Sequence, residues 1–286
     1  MSSTPNPPFD SAQRETLAPD AIQRPGEEFE ELLPQLPHAG GATREDPVWT
    51  GWDVVRIAVV AVLAIVLFSM VAISVAVATR GAAKISTDLE KSARVVIPAQ
   101  AAAYLGVLLF MYSLVTRRYR RQFATAIHWN WPRTRWFVFM IAGVALAIVV
   151  QLASSFLPIP KSLPIDLFFI DTTSAWLMTA FGVLLAPMVE ELFFRGFLYP
   201  VLARRTGVVV AIVLTAAGFA FIHESQLAQA WAPLLMLFVV GLVLTITRAV
   251  TGSVAAGVLL HMAYNATLFS LVYVASDGFK HLEKLQ

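Results

Sequence analysis

"LLAPMVEELFFRGFLYPVL" occupies residues 184–202, an apolar run of the length a helix needs to enter a hydrocarbon core. Inside it stand Glu190, Glu191 and Arg195, three ionisable groups within six residues. Each costs at least about 2.5 kcal/mol at the centre of a membrane helix, so they need partners or a purpose. Glu191 and Arg195 are four apart, share a helix face and can form an ion pair. Glu190 projects about 100° away from Glu191 on an ideal helix, so one arginine does not readily serve both. A carboxylate in low dielectric without a full counter-charge is a candidate general base. Pro187, three residues earlier, cannot donate to the carbonyl of Val183. It is either an ordinary kink or a device that frees a carbonyl and opens space beside Glu190.

Composition agrees with a membrane setting. The chain is 57% hydrophobic and 14% charged, against about 25% charged in ordinary globular proteins. The net charge of +2 divides unevenly: residues 1–50 hold nine acids and three arginines, net −6, leaving +8 for the rest. That excess belongs to loop arginines and not to a nucleic-acid surface. The absence of cysteine rules out disulfides, thiolate metal sites and cysteine nucleophiles. Residues 1–50, with eight prolines and the acidic stretch "GEEFEELLPQLP", read as a disordered tail; a short amphipathic helix over Phe29–Leu36 is the alternative. The tail lacks the basic start and early apolar core of a signal peptide, so the first span is expected to remain as an anchor.

Hydropathy predicts an all-α, polytopic transmembrane helix bundle of about seven spans, near 54–79, 95–116, 135–157, 174–199, 206–223, 231–250 and 253–275. Residues 51–170 form accessory transmembrane helices, 171–275 a catalytic core, and 276–286 a short C-terminal tail. The loop "RRYRRQFATAIHWNWPRTR" carries six arginines and no acid, which makes it cytoplasmic by the positive-inside rule and places the N-terminus inside. Trp129, Trp131 and Trp136 suit an interfacial belt. No internal repeat of the transporter kind is visible.

Two later spans add polar groups. "GFAFIHES" places Phe219 and His223 four apart, with the ring expected to stack over the imidazole. "GVLLHMAYNATLF" places His261 and Asn265 on one face at the same spacing. Taken singly, His223 reads as an interfacial residue and the His261–Asn265 pair as helix-to-helix hydrogen bonding. Their co-occurrence with Glu190 shifts the reading towards one shared site.

"EELFFRG", "FAFIH" and "HMAYN" resemble the EExxxR, FxxxH and HxxxN motifs of the CPBP (Abi) family, which includes the type II CAAX prenyl endopeptidases and bacteriocin-processing and immunity proteins. The motifs fall in the family order over about 174–268. The resemblance implies an intramembrane protease, a hydrolase of peptide bonds. Glu190 would be the water-activating carboxylate, His223 its partner, and His261 and Asn265 the pair that stabilises the oxyanion or holds the water. Glu191, Arg195 and Phe219 would support them. A membrane-anchored or amphipathic peptide would be the substrate, and the bacterial plasma membrane the setting.

Glu190, His223 and His261 are also a candidate Zn²⁺ set, since two histidines and a carboxylate leave one coordination position open. Glu190 cannot easily be both ligand and sole base, and no H-E-x-x-H helix is present. The metal-free glutamate–water mechanism is preferred. Two other functions use the same residues: a proton-coupled transporter, and a non-catalytic immunity or scaffold protein. Depth raises one difficulty. At 1.5 Å per residue Glu190 and His223 come out in the outer half, whereas His261 lies roughly 12 Å from the inner face.

Overall fold

A computed structural model describes residues 47–80, 93–160, 162–169 and 171–282, all within the compact unit Ala42–Gln286. The tail reading for residues 1–50, including the Phe29–Leu36 helix, lies outside them apart from 47–50.

Every regular element among the described residues is helical. Helix α1 spans Gly51–Arg80, α2 Ala93–Ser113, the short α3 Phe123–Ala126, and α4 Trp136–Ser154. Helices α5 (Thr172–Ala180), α6 (Ala186–Glu191) and α7 (Tyr199–Thr206) form one continuous run, joined by widened π turns at Phe181–Leu185 and Leu192–Leu198. Then follow α8 (Val208–Phe221), α9 (Trp231–Thr251) and α10 (Val254–Ala275). Among the described residues six helices are long and apolar enough to cross a bilayer: α1, α2, α4, the run Thr172–Thr206, α9 and α10. The chain is an integral membrane protein, an all-α bundle. Large apolar side chains such as Trp52, Leu63 and Met70 of α1 face outward, as lipid-facing residues do.

The segment expected to span 206–223 differs. Its helix, Val208–Phe221, has 14 residues, about 21 Å at 1.5 Å per residue and short of a ~30 Å core. Gly207 at φ +83° ends the preceding run and lets the chain reverse immediately. His223 follows two residues after this short helix stops.

One end of the bundle gathers the arginine-rich loop, the start of α1 and the α9–α10 turn. Val254 N–H donates to His128 O and Asn130 Nδ2 to Gly252 O, while the Ser253 hydroxyl donates to Asn130 O. Buried Asp53 accepts from Tyr119 at 2.5 Å and pairs with Arg56 at 2.8 Å. Arg204 donates to the carbonyls of Pro47 and Trp49. The Trp49 indole N–H reaches Phe197 O at 3.1 Å, tying the approach to α1 onto the second π turn.

Close packing at the centre depends on small residues. A Cβ on Gly143 of α4 would lie 2.2 Å from Leu260 O of α10, so these two helices touch backbone to backbone. Gly241 also brings α9 close to Ala216 of α8, a Cβ there falling 3.1 Å from its backbone. Small residues at crossings are the usual way membrane helices gain van der Waals contact, since lipid offers no hydrophobic drive for helices to associate.

Candidate active site

The Glu–Glu pair ends α6, between the two π turns. Glu191 and Arg195 are both fully buried and form the ion pair their spacing suggests, Nη1 to Oε1 at 2.8 Å. The guanidinium is otherwise consumed by structure. Its Nη2 donates to Gly241 O at 3.0 Å and its Nε to Thr245 Oγ1 at 3.2 Å, while its Cζ lies 4.7 Å from the Phe219 ring centroid. Arg195 therefore ties the second π turn to α9 and rests on α8. A cation desolvated this far is tolerable because the carboxylate, a hydroxyl, a carbonyl and an aromatic face share its charge.

Glu191 has a second partner. His261 Nδ1 lies 3.1 Å from Glu191 Oε1, the oxygen that also accepts from Arg195. With Nδ1–H donating there, the other imidazole nitrogen Nε2 turns towards Glu190, whose Oε2 is 3.9 Å away. That separation is too long for a direct hydrogen bond, yet both atoms can bond one water lying to the side.

The stripe on α10 is longer than the His–Asn pair. Gly257, His261, Asn265 and Phe269, each four residues on, all meet the long helical run. A Cβ on Gly257 would fall 2.6 Å from Glu191 Oε2, so glycine clears the space the carboxylate occupies. Asn265 Nδ2 donates to Gly182 O at 2.7 Å. The Phe269 ring lies where a Cβ on Gly182 would be, 2.8 Å away. The depth mismatch expected between Glu190 and His261 is thus absent: His261 meets the Glu–Glu pair one turn above Gly257.

His223 donates from Nδ1 to Phe219 O at 2.8 Å. Its ring is tilted 52° to Phe219 at 5.0 Å, a tilted contact in place of the expected stack. The same Phe219 ring meets His261 edge-on at 5.6 Å. One aromatic ring thus touches both imidazoles and the guanidinium of Arg195. Helix α2 contributes Tyr104, packed on Phe181 at 5.2 Å and near enough to feel the charge of Glu190.

The zinc reading of Glu190, His223 and His261 finds no assembled ligand set: among the described residues no three His, Cys, Asp or Glu side chains come together to hold a metal ion. His261 spends one nitrogen on Glu191 and His223 one on a backbone carbonyl. The donors left over do not converge.

Residues 172–267 match the family model for the type II CAAX prenyl endopeptidase Rce1-like proteins. The match covers about a third of the chain and is a similarity to that family. It covers Glu190, Glu191, Arg195, Phe219, His223, His261 and Asn265, consistent with the CPBP resemblance. Among curated proteins and among solved structures nothing matches. Outside the matched segment lies Tyr104, which sequence reading missed. A tyrosine in an apolar span carries no signal until α2 is seen to pack against the Glu–Glu helix. Gly257 was findable, standing four residues before His261 on the same face.

Proposed function

We propose that the protein is an intramembrane endopeptidase in which Glu190 activates water for attack on a peptide carbonyl in a membrane-anchored or amphipathic substrate. The observation that carries this reading is the 3.9 Å gap between Glu190 Oε2 and His261 Nε2, a separation at which both atoms can hold one water.

The division of labour follows from the pairing. Glu191 is occupied by Arg195 and His261, so it orients the imidazole and does not act as base. Glu190 has no arginine hydrogen-bonded to it, and its carboxylate takes a proton from the water as oxygen attacks the carbonyl carbon. The oxygen–carbon bond forms, the carbonyl becomes an oxyanion, and hydrogen-bond donors lower its energy. Collapse breaks the C–N bond as the proton held on Glu190 passes to the leaving amine, directly or over His223. His223, fixed through Nδ1 on Phe219 O, keeps Nε2 free for that transfer.

A transporter could use the same carboxylates, and a scaffold could keep them idle. The peptidase reading is favoured because Glu191 is used up in orienting His261, an arrangement that serves a positioned water better than a proton wire. The deciding experiment compares purified wild type with Glu190→Gln, each in lipid bilayers with a membrane protein fraction, and scores new peptide termini by mass spectrometry. Wild type should generate termini that Glu190→Gln does not. Equal yields from both proteins would overturn the assignment of the base. Glu190→Gln, retaining shape while losing the base, is also the form in which to trap and identify a bound peptide. Prenylation of that peptide is not required by any residue of the site.

A further inference from the structure

Asn265 does something other than face the reacting atoms, and the reason lies in the first π turn. There Ala186 N–H closes onto Phe181 O, five residues back. The next bond in that register would run from residue 187 to Gly182 O, and residue 187 is proline. Proline has no N–H, so the π turn and Pro187 together leave the Gly182 carbonyl without a helical partner. An unpaired carbonyl inside an apolar bundle carries the full cost of its desolvation. Asn265 Nδ2 lies 2.7 Å from that oxygen. Gly182 is also the residue against which Phe269, one turn further along α10, closes, so α10 can approach near enough for a short amide to reach.

We infer that Asn265 is a positioning residue: its amide replaces the N–H that Pro187 lacks, and so holds the π turn that sets the direction of Glu190. Pro187 and Asn265 are then one device, with the proline creating the acceptor and the asparagine satisfying it. Because the π turn precedes α6 directly, loss of the bond lets residues 181–186 relax and rotates the Glu–Glu pair relative to His261. The effect on turnover rests on the peptidase reading above; the effect on the helix does not.

The pair makes a rescue experiment possible. Asn265→Leu keeps the volume and removes the donor, and should lower the unfolding midpoint by roughly 3–8 °C and turnover by about ten- to a hundredfold. Pro187→Ala supplies a backbone N–H, so the Pro187→Ala/Asn265→Leu double variant should regain most of both losses. If the double variant is as impaired as Asn265→Leu, or if the two defects add, the inference is overturned. It is equally overturned if Asn265→Leu lowers turnover with an unchanged midpoint, since that is the behaviour of a group acting on the oxyanion. The midpoints are read without substrate, so a failure of the rescue is distinguishable from a failure of the peptidase reading, which rests on Glu190→Gln.

Discussion

A single oxygen of Glu191 serves two partners from opposite directions: Arg195 Nη1 at 2.8 Å from its own helix and His261 Nδ1 at 3.1 Å from α10. The carboxylate is therefore a joint between helices, and in the proposed mechanism Glu190 beside it is the one left to react. Adjacent residues of one type, in one helix, thus have opposite fates. The difference is set by partners: Arg195 and His261 Nδ1 bond Glu191, whereas only His261 Nε2 turns to Glu190, at 3.9 Å.

Glu190→Gln and Glu191→Gln should accordingly behave differently. Glu191→Gln leaves Arg195 buried without a full counter-charge, and breaking a buried pair from one side costs about 3–5 kcal/mol. It should fail to accumulate or unfold at much lower temperature, measured by thermal unfolding in detergent. Glu190→Gln should unfold within about 1 kcal/mol of wild type while losing proteolysis. Equal stability of the two variants would remove the distinction drawn between them.

Arg195→Lys tests the same joint from the other side. The guanidinium reaches Glu191, Gly241 O and Thr245 Oγ1 together, a fan that one ammonium cannot reproduce. Thr245 Oγ1 loses its donor, at about 1–3 kcal/mol when buried, while Gly241 O keeps the Thr245 hydroxyl at 2.7 Å. A drop in the unfolding midpoint with loss of turnover is expected, and wild-type values of both would show that the fan of bonds is dispensable.

Gly257→Ala adds one methyl where there is no room. Its Cβ would sit 2.6 Å from Glu191 Oε2, so the carboxylate must withdraw and pull on both Arg195 and His261. Overpacking of this kind costs about 1–3 kcal/mol, and the displaced imidazole should reduce turnover beyond that loss of stability. Gly257→Ala with wild-type activity would show that Glu191 tolerates a different rotamer.

Sequence made some of this legible and hid the rest for identifiable reasons. The apolar runs located α1, α2, α4, α9 and α10 within a few residues, because length and hydropathy are sufficient for a membrane span. The Glu191–Arg195 pair was visible because four-residue spacing fixes a helical face. The expected segment 206–223 matches α8 within two residues at each end, but its shortness was not legible, since hydropathy carries on through Ile222 while the helix stops at Phe221. Neither π turn was legible: a π turn is sustained by what packs around it, here Asn265 and Phe269 on Gly182, and Trp49 on Phe197 O. Pro187 announced a missing bond, but a straight α-helix assigns the orphaned carbonyl to Val183. The π register moves it to Gly182.

Away from the apolar core, Asp171 gives a pH prediction. It caps α5 through the N–H groups of Thr173 and Ser174 and pairs with Arg94 at 2.8 Å. The bond from Arg94 is the main cause holding its carboxyl well below the ordinary value of 3.8. A depressed folded value means stabilisation that is complete above the unfolded value and lost as pH falls through the folded one. Wild type should therefore exceed Asp171→Ala in stability by a constant margin from pH 8 to about 5, about 1 kcal/mol of it from the lost cap. The margin should shrink only below about pH 4. A margin that instead collapsed near neutral pH would point to a different group.

Tyr104 offers the last test, because it stands outside the matched segment. Its ring packs against Phe181 at 5.2 Å, near enough to feel the charge of Glu190. Tyr104→Phe retains the ring and removes only the hydroxyl. If that hydroxyl orients Glu190 or its water, turnover should fall by about ten- to a hundredfold while the unfolding midpoint stays within a degree or two, since a single positioned donor commands effects of that order or more. The carboxyl stretch of Glu190, identified by its disappearance in Glu190→Gln, should also shift in the infrared difference spectrum of Tyr104→Phe. An unmoved band together with wild-type turnover would reduce Tyr104 to packing and confine the chemistry to residues 172–267.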